Sequence, residues 1–287
     1  MRFSLYQIYK NDVHNLFKTY ENTLLYTIFV VFILIYCYNL VVKRCTYTEL
    51  QNESAGDCEG IRSMIFKIIV SIIYGIALGI VTIPLSKKLT LSRTEDPAEA
   101  APLNKMSIKI LSVALGLAAA FGITFTADSP DLYIRNLLLL IPIFSLSFVD
   151  ALVRKIPNSC LLSMLVVEVA YVIYHCIANK SLDIIPSIFM GFFIGMVVCL
   201  IPSILKIPMG AGDIKYSGVI GICIYATGYF QSMVIMAILV AVFYVYLKIM
   251  KKGDLKTQVP MGPFLSAGTV ITMCFSVFSI FDVNIMI

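Results

Sequence analysis

The chain has 287 residues, of which 59 % are hydrophobic and only 14 % charged, with a mean hydropathy of +0.90. This balance excludes an ordinary soluble globular protein and places the chain in the membrane class. The net charge of +5 is spread over several loops instead of gathering on one face, so it does not read as a nucleic-acid surface.

A helix crossing about 30 Å of hydrocarbon needs about 20 apolar residues. Uncharged runs occur at 22–42, 68–86, 110–127, 136–149, 156–179 (interrupted only by Glu168), 184–205, 216–247 and 257–281. The run 216–247 is too long for one span, and Thr227-Gly228 supplies a turn near its middle. The expected fold is therefore all-α and polytopic, with about nine transmembrane helices. The first run starts late and lacks a small-residue cleavage pattern, so it reads as an anchor and not a signal peptide.

With a cytoplasmic N-terminus, and leaving out Lys67 and Lys109 at the edges of their apolar runs, the inside segments carry fifteen Lys and Arg. The outside segments carry five: Lys43, Arg44, Arg62, Arg135 and Lys180. That asymmetry sets the orientation. Six of the eight cysteines lie in or beside apolar runs, where they read as small packing residues. Cys45 and Cys58 flank a polar outside loop and could pair there as a disulfide. No Cys or His cluster has zinc-site spacing, so neither a metal nor a cofactor is expected.

Ionisable groups within the membrane are costly, by at least ~2.5 kcal/mol on insertion scales, and are functional candidates by default. Three acids qualify: Asp150, Glu168 and Asp213. The charge-based topology puts both aspartates at the cytoplasmic rim. Two carboxylates in one poorly hydrated site share a proton, so one serves as general base towards water while the other, protonated, polarises a carbonyl. Amide hydrolysis needs that division of labour. Gly210 and Gly212 open space around Asp213 for a tight helix entry and for an extended substrate backbone. Lys215 either meets the substrate or Asp213, or extends its ammonium to the interface. Glu168 sits mid-span in "CLLSMLVVEVAYVIYH" and reads as a protonated residue hydrogen-bonded within the bundle. An alternative assigns Asp150, Glu168 and Asp213 to the pathway of an ion- or proton-coupled transporter, which predicts internal repeats that the sequence does not display.

Three motifs carry a resemblance. Asp150 lies a few residues ahead of Ile156-Pro157-Asn158, Met209-Gly210-Ala211-Gly212-Asp213-Ile214-Lys215 has the form M-G-x-G-D-x-K, and Pro260-Met261-Gly262-Pro263-Phe264-Leu265 has the form P-x-G-P-F-L. Their order and their common predicted membrane side resemble the type IV prepilin peptidases, the GxGD aspartic proteases that remove prepilin leader peptides. The resemblance implies a six-helix peptidase core over 133–287. It assigns Asp150 and Asp213 as catalytic, with Gly210, Gly212, Lys215, Pro157, Asn158 and Pro263 as site-shaping or substrate-binding.

The implied partners are a prepilin or pseudopilin and the bilayer of the inner (cytoplasmic) membrane, with the site facing the cytoplasm. The implied substrate has a basic leader, a glycine before the scissile bond and an apolar helix after it. Residues 67–132 look like the two helices that precede this core in longer members. In those members the intervening domain holds zinc on paired CxxC motifs and is associated with N-methylation of the product. Here the loop "KKLTLSRTEDPAEAAPLNK" has no cysteine, so the resemblance does not support the methyltransferase activity. Residues 1–66 fall outside the resemblance and add one helix and an outside loop.

Overall fold

The computed structural model describes residues 57–94, 96–126, 129–204, 210–250 and 259–275. The predicted span 22–42, Cys45 of the suggested disulfide, Met209 of the second motif and the end of the 257–281 run lie outside the described residues. All regular elements among the described residues are helical. In chain order they are α1 (Asp57–Leu91), a short 3-10 helix (Pro97–Asn104), α2 (Met106–Thr126), α3 (Pro130–Val153), α4 (Asn158–Asn179), α5 (Ile184–Ile204), α6 (Ala211–Ile249) and α7 (Gly262–Cys274).

Six of these, α1 to α6, are long and apolar enough to cross a membrane. α7, with 13 residues, is shorter than the run predicted there. The chain divides into two compact units, one of residues 57–243 with 258–287 and one of 1–56 with 244–257. In the second unit the described part is the C-terminal end of α6. Both aspartates belong to the first unit.

α3 is the centre of that first unit: 61 % of its apolar window is buried, against 11–39 % for the other five spans. One apolar cluster joins its Leu139, Ile143 and Leu146 to Met164 of α4, Tyr216 and Ile220 of α6 and Leu265 of α7. A second joins its Leu137, Leu140 and Phe144 to Leu78 of α1 and to Ala120 and Ile123 of α2. Side chains such as Ile73, Ile177 and Phe193 point outward and exposed, as the lipid-facing side of a membrane bundle requires. Small residues bring helices close. Gly191 and Gly195 of α5 lie against Gly221 and Ser217 of α6, and the Ser217 hydroxyl donates to the Gly195 carbonyl at 2.7 Å. Between helices in lipid, close packing and hydrogen bonds do the work that hydrophobic burial does in water.

The long run 216–247 is divided, as its length demanded, but at Tyr225 and not at Thr227-Gly228. Tyr225 has φ 58° and ψ 179° within α6, a backbone region that is essentially reserved for glycine. Such a break frees main-chain groups that neighbouring side chains must satisfy. Here the Arg135 guanidinium of α3 donates to the carbonyl of Cys223.

Arg135 corrects the topological count. It is not an outside-loop charge but a buried residue, 5 % exposed, whose Nε donates to Oε2 of Glu168 at 2.7 Å. It also lies over the rings of Tyr171 and Tyr225, 4.8 and 5.4 Å from their centroids. Glu168 is thus hydrogen-bonded within the bundle, as expected, but to a cation, so it is an ion-paired carboxylate and not a protonated acid. The reason is geometric: Arg135 lies one turn inside α3, and Glu168 of the neighbouring α4 is 1 % exposed. Neither charge can reach water, so each neutralises the other.

Candidate active site

The site begins with how α3 stops. The helix starts on an N-cap, where the Ser129 hydroxyl accepts from the Leu132 N–H, with Pro130 and Asp131 in the first turn. That composition matches the exposed N–H groups and positive dipole end of a helix start. At the other end Arg154 turns left-handed (φ 54°, ψ 36°) and its N–H donates to the Asp150 carbonyl. Pro157 then stands at the N-cap of α4. Proline fixes its own φ and keeps the residue before it out of the helical region, so α3 cannot run on into α4. Asp150 is consequently held in the last turn of α3, 4 % exposed.

Asp213 is held by the opposite device, the start of a helix. α6 opens at Ala211, and the Asp213 N–H donates to the Gly210 carbonyl at 3.0 Å. A Cβ at Gly210 would lie 2.9 Å from Oδ2 of Asp213, so the carboxylate folds back over the place where another residue would carry its side chain. Gly212 is close-packed for a different reason. Its missing Cβ would sit 3.1 Å from Cβ of Ile156, a buried residue. The space at Gly212 is taken by the protein's own wall. No described glycine has a positive φ, so close approach is what these positions require.

The two helix ends meet at an open pocket of about 350 Å3 lined by Asp150, Arg154, Lys155, Ile156, Asn158, Gly210, Ala211, Gly212, Asp213 and Lys215. Six residues singled out in the sequence thus come together: both aspartates, both glycines, Asn158 and Lys215. Pro157 and Pro263 do not line the pocket; the first caps α4 and the second sits in the first turn of α7. Glu168 does not line it either, so the three membrane acids do not face one common cavity. Two carboxylates and three cationic side chains face the pocket.

The third motif reaches the site through its backbone. The Gly262 N–H donates to Oδ2 of Asp150 at 2.9 Å. A Cβ there would stand 2.5 Å from the same oxygen, so glycine is the residue that allows α7 to approach. Sequence reasoning noticed P-x-G-P-F-L but did not assign Gly262. It also missed Arg93 of the α1–α2 loop, whose guanidinium donates to the Ile156 carbonyl at 3.3 Å, while Lys155 Nζ donates to the Arg93 carbonyl at 3.3 Å. Nothing in the composition of that loop says where it docks. Among the described residues no group of three or more His, Cys, Asp or Glu side chains is gathered as a metal site would require.

Over the described residues the architecture is all-helical and that of a multi-pass membrane protein, with two carboxylates at adjoining helix ends. Residues 137–245 match the model of the type IV leader peptidase family, which bears out the resemblance to a prepilin peptidase-type family and supports a membrane-embedded protease. The matched segment contains Asp150 and Asp213 but ends before the Gly262 motif. No curated protein and no solved structure matches the chain.

Proposed function

We propose that the chain is an aspartic endopeptidase that removes the leader peptide of type IV prepilins or pilin-like proteins, cutting at the cytoplasmic boundary of the inner membrane. The observation that carries this reading is that Asp150 and Asp213, from distant parts of the chain, line one pocket at the ends of their helices.

The ionised carboxylate takes a proton from water as the water oxygen attacks the scissile carbonyl. The protonated carboxylate donates to the carbonyl oxygen. Collapse of the tetrahedral species then breaks the C–N bond as the departing nitrogen takes up a proton. The two acids act as one coupled unit, so neither role belongs permanently to either residue. The Gly262 amide engages Oδ2 of Asp150, which directs the other oxygen to the reaction. Water is the nucleophile and no metal is needed, so the reaction proceeds in the presence of zinc chelators.

Co-expression with a pilin-like protein tests the reading: the parent chain produces a shortened product, and Asp150→Asn and Asp213→Asn do not. Full cleavage by either purified single variant overturns it.

A further inference from the structure

The aspartates sit on different helices, and the Asp150 carboxylate is held by a third. Something must fix the register between the helix that carries Asp213 and the helix that holds Asp150. Tyr216 lies three residues beyond Asp213 on α6 and is completely buried. Its hydroxyl is 2.7 Å from the hydroxyl of Ser266, which is 4 % exposed. Ser266 lies four residues beyond Gly262 on α7, and Gly262 donates to Asp150 at 2.9 Å. Three and four residues are each about one helical turn. The path from one aspartate to the other therefore runs down one turn of α6, across a single hydrogen bond, back one turn of α7 and through one amide.

We propose that Tyr216 and Ser266 are positioning residues that clamp α6 to α7 and so set the separation of Asp150 and Asp213. This rests on the reading of the two aspartates as the catalytic pair. A buried tyrosine hydroxyl needs a partner, and a phenylalanine would fill the same space. The hydroxyl thus adds the contact and not volume. Helices in lipid lack a strong hydrophobic drive to one register, so packing and directional bonds between them set it. α7 is short, and its N-terminal turn holds Asp150, so a small slide of α7 against α6 is transmitted to the carboxylate.

The test uses the full chain in detergent or proteoliposomes, with a synthetic pilin-like peptide that has a basic leader, a glycine and an apolar helix. Tyr216→Phe and Ser266→Ala each lower kcat about tenfold, the scale on which small misplacements of catalytic groups act, while KM changes less than twofold. The double variant is no worse than either single one, because one bond has been removed in all three. Hydrogen exchange read by mass spectrometry gives an answer independent of cleavage. The amide of Gly262 exchanges faster in both single variants, and if Tyr216→Phe fails to fold, Ser266→Ala alone decides. Parental kcat with unchanged exchange overturns the clamp, as does an additive loss in the double variant. Asp150→Asn and Asp213→Asn run alongside keep the two readings apart. If these are inactive while Tyr216→Phe matches the parent, only the clamp fails. If they cleave, the catalytic pair fails, and the exchange result still decides whether Tyr216 and Ser266 hold α7.

Discussion

Glu168 and Asp150 are both membrane carboxylates with almost no solvent exposure, 1 % and 4 %, yet their surroundings differ in kind. Glu168 meets the Arg135 guanidinium at 2.7 Å, and that guanidinium also serves the Cys223 carbonyl at the break in α6. Asp150 is held by a backbone amide and faces a pocket that it shares with a second carboxylate. A charge whose partners are all internal is structural in consequence. Under the function proposed above, a carboxylate anchored on one oxygen, beside another acid and an open volume, is arranged for chemistry. Burial does not separate the two cases, but partners do.

Substitution at the pocket tests the chemical half of that contrast. Asp150→Asn and Asp213→Asn each preserve shape while removing an acid–base group, and each should lower cleavage by about 10^3-fold or more. Thermal denaturation in detergent should stay near that of the parent. The structural half predicts the reverse. Arg135→Met leaves Glu168 buried without its cation and should destabilise the protein by about 3–5 kcal/mol, while cleavage per folded molecule stays close to parental. Adding Glu168→Gln should recover much of the loss but not all, since the Cys223 carbonyl still lacks the guanidinium. Full stability in Arg135→Met would remove the ion pair from the account of the fold.

Much of this was legible because charges are scarce in an apolar chain. The apolar runs that form α1 to α5, and the placing of Asp150 at the end of one helix and Asp213 at the start of another, could be read from the sequence, since each depends on neighbours in the chain. Arg135 was misread for the same reason. It is bounded by Asp131 and a long apolar run, so it resembles a loop residue until α4 brings Glu168 beside it. The break at Tyr225 was displaced by two residues from Thr227-Gly228, because composition marks where a chain bends easily while packing decides where it does. Gly262 and the docking of Arg93 depend on contacts across more than 60 residues, which no local pattern records.

Gly262 offers a milder perturbation than removing a carboxylate. In Gly262→Ala the new methyl would stand 2.5 Å from Oδ2 and 2.8 Å from Cγ of Asp150, closer than any side chain is tolerated. The Asp150 carboxylate must turn away or α7 must retreat. Cleavage should fall about 100-fold through misplacement, with a stability loss of about 1–3 kcal/mol from overpacking. Measuring kcat on protein quantified as folded separates the two. Unchanged kcat would show that the amide contact does not orient the acid.

The smallest effect is expected at Gly212, where two explanations for the same glycine can be separated. An extended substrate passing close to Asp213 would need the space, but Ile156 already stands 3.1 Å from the position of a Cβ. Gly212→Ala asks the wall to give by a few tenths of an ångström and should cost less than tenfold in cleavage. Gly212→Leu pushes Ile156 aside and with it the turn that joins α3 to α4. If the wall is the constraint, Ile156→Ala added to Gly212→Leu should restore most of the lost activity, since a smaller neighbour accepts the new side chain. If the substrate is the constraint, the second substitution should restore nothing and KM should remain high, because the leucine still blocks the path beside Asp213. Cleavage rates for the four variants of this cycle, at matched amounts of protein in the membrane, decide between them through the sign of the coupling.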